Sequence, residues 1–268
     1  MTQQADVAII GGSGLYSLFS PTSPGHLATV SLSTPYGDPS GEIEVAQIGS
    51  RRVAFLPRHG PGHRYPAHRI PYRANMHALE QMGVKQVIAP CATGSLRRET
   101  PPGALVVPDQ LVDQTHSRAQ TFHDEFHGET FHAQFAEPYC QRLRESLLGS
   151  AADDGWPASD GGALVVIDGP RFSTRAETVW YANEGWALVN MTGHPEAVLA
   201  RELRLCYAAL ALVTNYSANL ITGPGVSEAE VYALFERNIE KLRGLLLRAI
   251  RELPDPAGCS CWGTVPKH

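Results

Sequence analysis

Seven short apolar runs constrain this chain more than anything else in it: "ADVAII", "RRVAFL", "KQVIAP", "GALVVP", "GALVVID", "WALVNM" and "YAALALV". Each is near-continuous rather than alternating, and each is bounded by Gly, Pro or Asp. That is the pattern of strands covered on both faces, which requires helices above and below a sheet. Helical spacing fits between them, over 70–83 (Ile70, Met76, Leu79, Met82), 174–185, 195–205 (Val198, Leu199, Leu203) and 227–251. The last is the clearest, with Val231, Leu234, Phe235, Ile239, Leu242 and Leu246 on one face and Ser227-Glu228-Ala229-Glu230 as a capping box. "GEIEVAQIGSRRVAFL" reads as a hairpin turning at Gly49-Ser50. The expected fold is α/β, with a central mixed, largely parallel twisted sheet flanked by helices. No linker divides the chain, and "SAADDGWPASDGG" (150–162) reads as a surface connection. A single domain over 1–268 is expected, its core at about 5–250 and a tail at 251–268.

Composition excludes several classes. In 268 residues, 43% are hydrophobic and 18% charged, enough to bury a sizeable core. A net charge of −5 argues against nucleic acid or an anionic membrane as partner, so an anion site would have to be local. No stretch approaches the roughly 18 apolar residues of a membrane span. The start, "MTQQADVAIIGG", has no charged n-region and enters a strand at once, so a cytoplasmic protein is expected. Cys91, Cys140, Cys206, Cys259 and Cys261 are odd in number and scattered, and no CxxC pair suggests structural zinc. Cys259-Ser260-Cys261 is open to three readings: a strained disulfide, a soft-metal site, or an ordinary tail. His123 and His127 have i, i+4 spacing, but no third metal ligand is evident.

Four strand ends carry polar chemistry. Gly11-Gly12-Ser13-Gly14 follows the first strand and lets backbone N–H groups approach an anion, but matches neither a dinucleotide fingerprint nor a Walker A loop. "LPRHG" places Arg58 and His59 after a buried strand, where Arg58 needs either a phosphate or a structural acidic partner. "APCATGSL" brings Cys91, Ala92 and Thr93, and "NMTGHPE" brings Thr192 before a helix starting near Pro195. Ligands of open α/β sheets bind at the carboxyl ends of strands, so these loops can converge on one phosphate.

In order along the chain, "IIGGSGL", "RHGPGHRYPAHRIPYRAN", "CATGSL", "FAEPYC", "DGPRFSTRAE", "NMTGHPEAVLARE" and "TNYSANL" resemble the trimeric purine nucleoside phosphorylase and methylthioadenosine phosphorylase family. The resemblance spans about residues 5–250, and "GPRFSTRAE" with "NMTGHPE" is its most specific part. It implies phosphorolysis, in which inorganic phosphate is co-substrate and no cofactor or metal is needed. It implies a phosphate site at Gly11, Ser13, Arg58, His59, Cys91, Ala92 and Thr192, with Cys91 where relatives often carry a hydroxyl. Met191 is implied to lie under the ribose, Phe172 against the purine and Ser173 at the base edge. His132 matches a residue that relatives lend to a neighbouring subunit's 5′ pocket, which implies a homotrimer or a dimer of trimers.

The resemblance puts Asn215 beside N7 and the 6-substituent of the purine, as the catalytic side chain. A carboxylate only accepts hydrogen bonds and suits a 6-amino group, whereas an amide also donates, and so suits O6. Adenine-preferring relatives carry Asp at this position and again two residues on; here the pair is Asn215 and Ser217. Both differences favour 6-oxopurines such as inosine and guanosine. At the 5′ end, Glu228 matches a Val of methylthioadenosine-type relatives and suits a hydroxyl, although a helix N-terminus also favours Glu. Val231 offers an apolar wall, and Ser173 resembles the methylthioadenosine branch. 5′-Methylthioinosine and methylthioadenosine therefore stand as alternative substrates. Outside the family, a metal-dependent hydrolase built on His59, His63, His123 and His127, or a non-catalytic purine- or phosphate-binding protein, are the alternatives.

Overall fold

The computed structural model describes residues 4–12, 15–16, 21–126, 128, 130–223 and 225–262. Each apolar run forms a strand: β1 (Val7–Gly11), β4 (Arg51–Pro57), β5 (Gln86–Ser95), β6 (Leu105–Val107), β9 (Ala163–Ile167), β10 (Leu188–Asn190) and β11 (Cys206–Tyr216). β3 (Ile43–Ile48) forms the expected hairpin with β4. Three further strands, β2 (His26–Val30), β7 (Gln110–Gln114) and β8 (Ala158–Asp160), extend the edges. The main path of the sheet runs β2-β3-β4-β1-β5-β10-β9-β7, while β11 pairs with β5 and β6, and β8 with β6. Pairing is parallel for β1–β4, β1–β5, β5–β11, β9–β10, β7–β9 and β6–β8.

Successive strand residues point to opposite faces, and both faces are dry here. Val7, Ile9, Ala208, Leu210 and Leu212 meet Leu143, Leu147, Leu242 and Leu246, which come from α2 (Gln141–Asp153) and α5 (Glu228–Glu252). The intervening Ala8, Ile10, Tyr207 and Ala209 meet Met76, Leu79, Leu199 and Ala200, which come from α1 (Tyr72–Gln81) and α4 (Gly193–Glu202). This two-sided burial explains why the strands read as continuous apolar runs.

Some expectations change. Helix α1 begins only at Tyr72, because Pro71 precedes it, and α4 ends at Glu202. The stretch 150–162 is not a plain connection: it holds the end of α2 and strand β8. Of the expected tail, residues 251–262 are described. Leu253, Cys259 and Cys261 are buried in the main core beside α5. Ser227 is the N-cap of α5, but its hydroxyl makes no cap bond; the first turn is exposed, and water can satisfy its N–H groups. A complete capping box forms instead on α3 (Arg175–Asn183), between Thr174 and Glu177.

Candidate functional site

Strand β5 carries the opening. It pairs with β11 along its length, but β1 leaves its other edge after Ile88 and β10 joins only at Gly94. Between those points, that edge of Ala89–Thr93 pairs with no strand among the described residues. A cavity of about 870 Å³ opens there, with Pro90, Cys91, Ala92, Thr93 and Gly94 in its wall. The cavity sits at the carboxyl end of the parallel strands, where α/β sheets bind ligands.

The polar loops meet on it. Gly12, Arg58, His59, Cys91, Ala92 and Thr192 all line it. Gly11 does not; it lies in the core, where an added Cβ would come within 2.6 Å of the Phe55 ring. Ser13 falls outside the described residues. Arg58 is buried and has the acidic partner that the sequence left open: Nε and Nη2 both bind the Glu196 carboxylate, the latter at 3.1 Å. Nη1 donates to the Pro90 carbonyl at 3.1 Å, and Tyr207 donates to Glu196 at 2.9 Å. Burial alone would lower the Arg58 pKa, but the Glu196 carboxylate outweighs it and holds the guanidinium firmly charged. The pair, neutral as a whole, fixes the guanidinium in the cavity wall.

His59 is neutral at physiological pH. Burial lowers its pKa to about 3, against the opposing hydrogen bond to the Tyr65 carbonyl, 2.9 Å from Nδ1. That bond assigns the proton to Nδ1 and leaves Nε2 as an acceptor. The ring stacks on His63 at 4.0 Å. Burial also raises the Cys91 thiol to about 11, so it enters the site as a weak S–H donor. Thr192 is set by Asn190, whose Oδ1 accepts from the N–H groups of Thr192 and Gly193 at 3.3 and 3.4 Å.

Phe172, Ser173, Met191, Asn215, Ser217, Glu228 and Val231 line the other half of the cavity. β11 does not stop at Thr214. It runs on to Tyr216 through a bulge, where the register against β5 jumps from Val213↔Thr93 to Asn215↔Gly94. The extra residue redirects the strand end. Gly94 is needed opposite: a Cβ there would lie 2.8 Å from Ser217 Oγ and 3.1 Å from Asn215 Nδ2. Asn215 Oδ1 lies 3.0 Å from the Thr214 hydroxyl, and Nδ2 donates to the Tyr216 carbonyl at 3.0 Å. One amide hydrogen and one oxygen lone pair stay available. The buried Ser217 and Ser173 hydroxyls have no hydrogen-bond partner among the described residues. Glu228 faces His63 and the Tyr232 hydroxyl on the cavity rim.

His132 lies elsewhere, exposed and 5.9 Å from the Phe126 ring. His123 packs on Phe131 at 4.5 Å, away from the cavity, while His59 and His63 line it, so these histidines do not gather into one site. His127 lies outside the described residues.

Arg118 gives no signal in the sequence. It is buried, and Nη2 donates to the carbonyls of Ile167, Asp168 and Met191 at 3.1, 2.9 and 2.8 Å, while Nη1 reaches the His194 carbonyl and the Tyr72 hydroxyl. One side chain thereby ties the end of β9, the Met191 loop and the start of α4 behind the site. Its partners are backbone atoms distant in sequence, which no residue pattern announces.

Comparison with known proteins decides the family. Residues 6–251 match the Phosphorylase superfamily. The chain belongs to that superfamily. It is 53% identical to an S-methyl-5′-thioadenosine phosphorylase of Mycobacterium tuberculosis, over 95% of this chain and 92% of that protein. It is 47% identical to a purine nucleoside phosphorylase of Streptomyces coelicolor, over 96% and 92%. A crystal structure of a methylthioadenosine phosphorylase from an antarctic soil metagenomic library superposes with a TM-score of 0.88 at 34% identity, covering 98% of this chain and 91% of that one. As a superfamily member the chain is a pentosyltransferase-type enzyme. The expected α/β nucleoside phosphorylase fold is the one observed. No helix of the described residues is long and apolar enough to cross a membrane.

Proposed function

We propose that the enzyme cleaves 6-oxopurine nucleosides, inosine and guanosine, with inorganic phosphate to give the free base and ribose 1-phosphate. The observation that carries this is the carboxamide of Asn215 at the cavity wall, with one N–H and one oxygen lone pair uncommitted. A phosphate oxygen bonds to C1′ as the C1′–N9 bond breaks, and the bond's electron pair leaves with the purine. The site lowers that barrier at both ends. Asn215 donates to O6 and accepts from N7–H as negative charge builds on the base. Phosphate lies against Arg58, His59, Thr192 and the open edge of β5, with the Cys91 and Ala92 backbone. With Nε2 as acceptor, His59 pairs with the O–H of hydrogen phosphate. Phosphate is a co-substrate, and the reaction needs no cofactor.

A second reading, cleavage of 5′-methylthio nucleosides, is favoured by the apolar flank of Val231, Phe235 and Ile239, which Glu228 only partly offsets. The Ser217 hydroxyl, without a hydrogen-bond partner among the described residues, can donate or accept and so tolerates either 6-substituent. A homotrimer or dimer of trimers, with His132 serving a neighbour's 5′ pocket, is supported by the exposed apolar side chains Phe126, Val179 and Trp180.

The test follows free base from inosine, guanosine, adenosine, methylthioadenosine and methylthioinosine, with and without phosphate. Cleavage that ignores phosphate would end the phosphorylase assignment. Asn215→Asp should shift the 6-oxo to 6-amino ratio of kcat/KM by about tenfold to a hundredfold, the cost of one mispaired buried polar group, roughly 1–3 kcal/mol. An unchanged ratio would remove the amide from the account.

A further inference from the structure

Four of the five cysteines, scattered in the sequence, come together in space. The Sγ atoms of Cys140, Cys206, Cys259 and Cys261 all lie within 4.8 Å of one another, and Cys140 and Cys259 are 3.7 Å apart. None of the four lines the substrate cavity, whose cysteine is Cys91. Cys140 precedes α2, Cys206 opens β11, and Cys259 and Cys261 follow α5. All four are buried.

We infer that these four thiols form a structural zinc site that fastens the C-terminal segment to the amino end of the sheet. The distances suit it: tetrahedral thiolates at about 2.3 Å from zinc lie about 3.8 Å from one another. Six mutual separations below 4.8 Å make one four-membered cluster, so a central ion needs only small adjustments. The surroundings are already fixed. Cys140 N–H donates to the Tyr207 carbonyl at 2.8 Å, Cys206 N–H to Lys85 at 2.9 Å, and Cys259 N–H to Pro256 at 3.1 Å. The segment after α5 is held by Arg51 on the Leu253 carbonyl, Gln86 on Pro254 and Arg142 on Asp255. Arg142 also stands beside Cys259, where its charge offsets part of the dianion that four thiolates and one zinc ion make. A closed, all-sulfur, buried set has no open position for substrate, so the ion is structural rather than catalytic. The linear pattern C-x-C with two remote cysteines lacks paired CxxC knuckles, so the sequence alone leaves a soft-metal site as only one of three readings of Cys259-Ser260-Cys261.

The full chain, expressed untagged with zinc supplied and passed over chelating resin, should carry about one zinc per chain by plasma mass spectrometry. Cys140→Ser and Cys261→Ser should lower that content at least about tenfold with phosphorolysis retained, since no ligand reaches the cavity. Should either variant fail to fold, refolding the wild-type chain with cobalt(II) keeps the question open to measurement: a tetrathiolate site gives intense tetrahedral visible bands and sulfur-to-cobalt charge transfer. Zinc below about a tenth of an ion per chain after refolding under reducing conditions, with no such cobalt spectrum, overturns the inference. So does intact mass showing two disulfides among these cysteines in freshly prepared, thiol-protected protein.

Discussion

β11 begins and ends in different surroundings, roughly 30 Å apart at about 3.3 Å per residue. At its amino end, Cys206 to Leu212 are almost wholly enclosed and paired in unbroken register with β5, with β6 joining at Ala211 and Leu212. At its carboxyl end the ladder bulges at Thr214, a glycine stands opposite, and the Ser217 hydroxyl has no partner among the described residues. Helix α5 repeats the contrast in reverse. Its first half contributes one buried residue, Phe235, and lines the cavity with Glu228, Val231 and Tyr232; its second half buries Leu242, Leu245, Leu246, Ala249 and Ile250. The first part of β11 and the second half of α5 satisfy themselves mainly by apolar packing, and their other ends present polar groups to the cavity. Stability and recognition are therefore assigned to opposite ends of the same two elements.

Substitutions can break or sharpen that contrast. The largest effect should blur it. Glu196→Gln leaves the buried Arg58 charge without its carboxylate, and losing a buried partner costs about 3–5 kcal/mol. Urea unfolding should show that loss together with a raised KM for phosphate; a change in only one of them would separate the two roles of the pair. Leu246→Ala, in the self-satisfied half of α5, should cost about 2–5 kcal/mol while the folded fraction keeps its kcat/KM. A changed kcat/KM would mean that the two ends are not independent.

His59 gives the next effect, through pH. Its folded pKa of about 3 lies below the ordinary 6.5, so the unfolded chain binds the extra proton between those values. Its contribution to stability is full above about pH 6.5 and is lost as pH falls toward 3, reaching roughly 3 kcal/mol by pH 4. His59→Gln should flatten the acid limb of a stability-versus-pH curve; an unaltered limb would mean the ring is not held neutral. Asn215→Asp closes the series. It should change unfolding free energy by less than about 1 kcal/mol, because its bonds are local and half-exposed, while moving base selectivity as described above.

Much of this was legible in sequence for identifiable reasons. Strands covered on both faces announce themselves as apolar runs, and a long amphipathic helix such as α5 does so by its period. α2 had a signal too, with Leu143, Leu147 and Ala151 at four-residue steps, but its Gly and Ser content masked it. β7, half-buried throughout and flanked by glutamines, had almost none. In the site, Arg58, His59, Thr192 and Asn215 stood out because a charge or amide after an apolar run needs a reason. The bulge at Thr214, the unpaired edge of β5, the carbonyls gathered by Arg118 and the meeting of four cysteines were not legible. Each depends on which distant segments become neighbours.

The gap along β5 has a thermodynamic consequence. One edge of β5 over Ala89–Thr93 pairs with no strand among the described residues. Backbone groups there that no side chain holds, as Arg58 holds the Pro90 carbonyl, take their partners from solvent or from a bound molecule. Any ligand that binds only the folded chain adds RT ln(1 + [L]/Kd) to its stability, about 2.7 kcal/mol at a hundredfold excess over Kd. The enzyme's lifetime in its native environment is thus coupled to the supply of what it consumes. Scarcity of its ligands exposes the chain to unfolding and turnover, and abundance protects it.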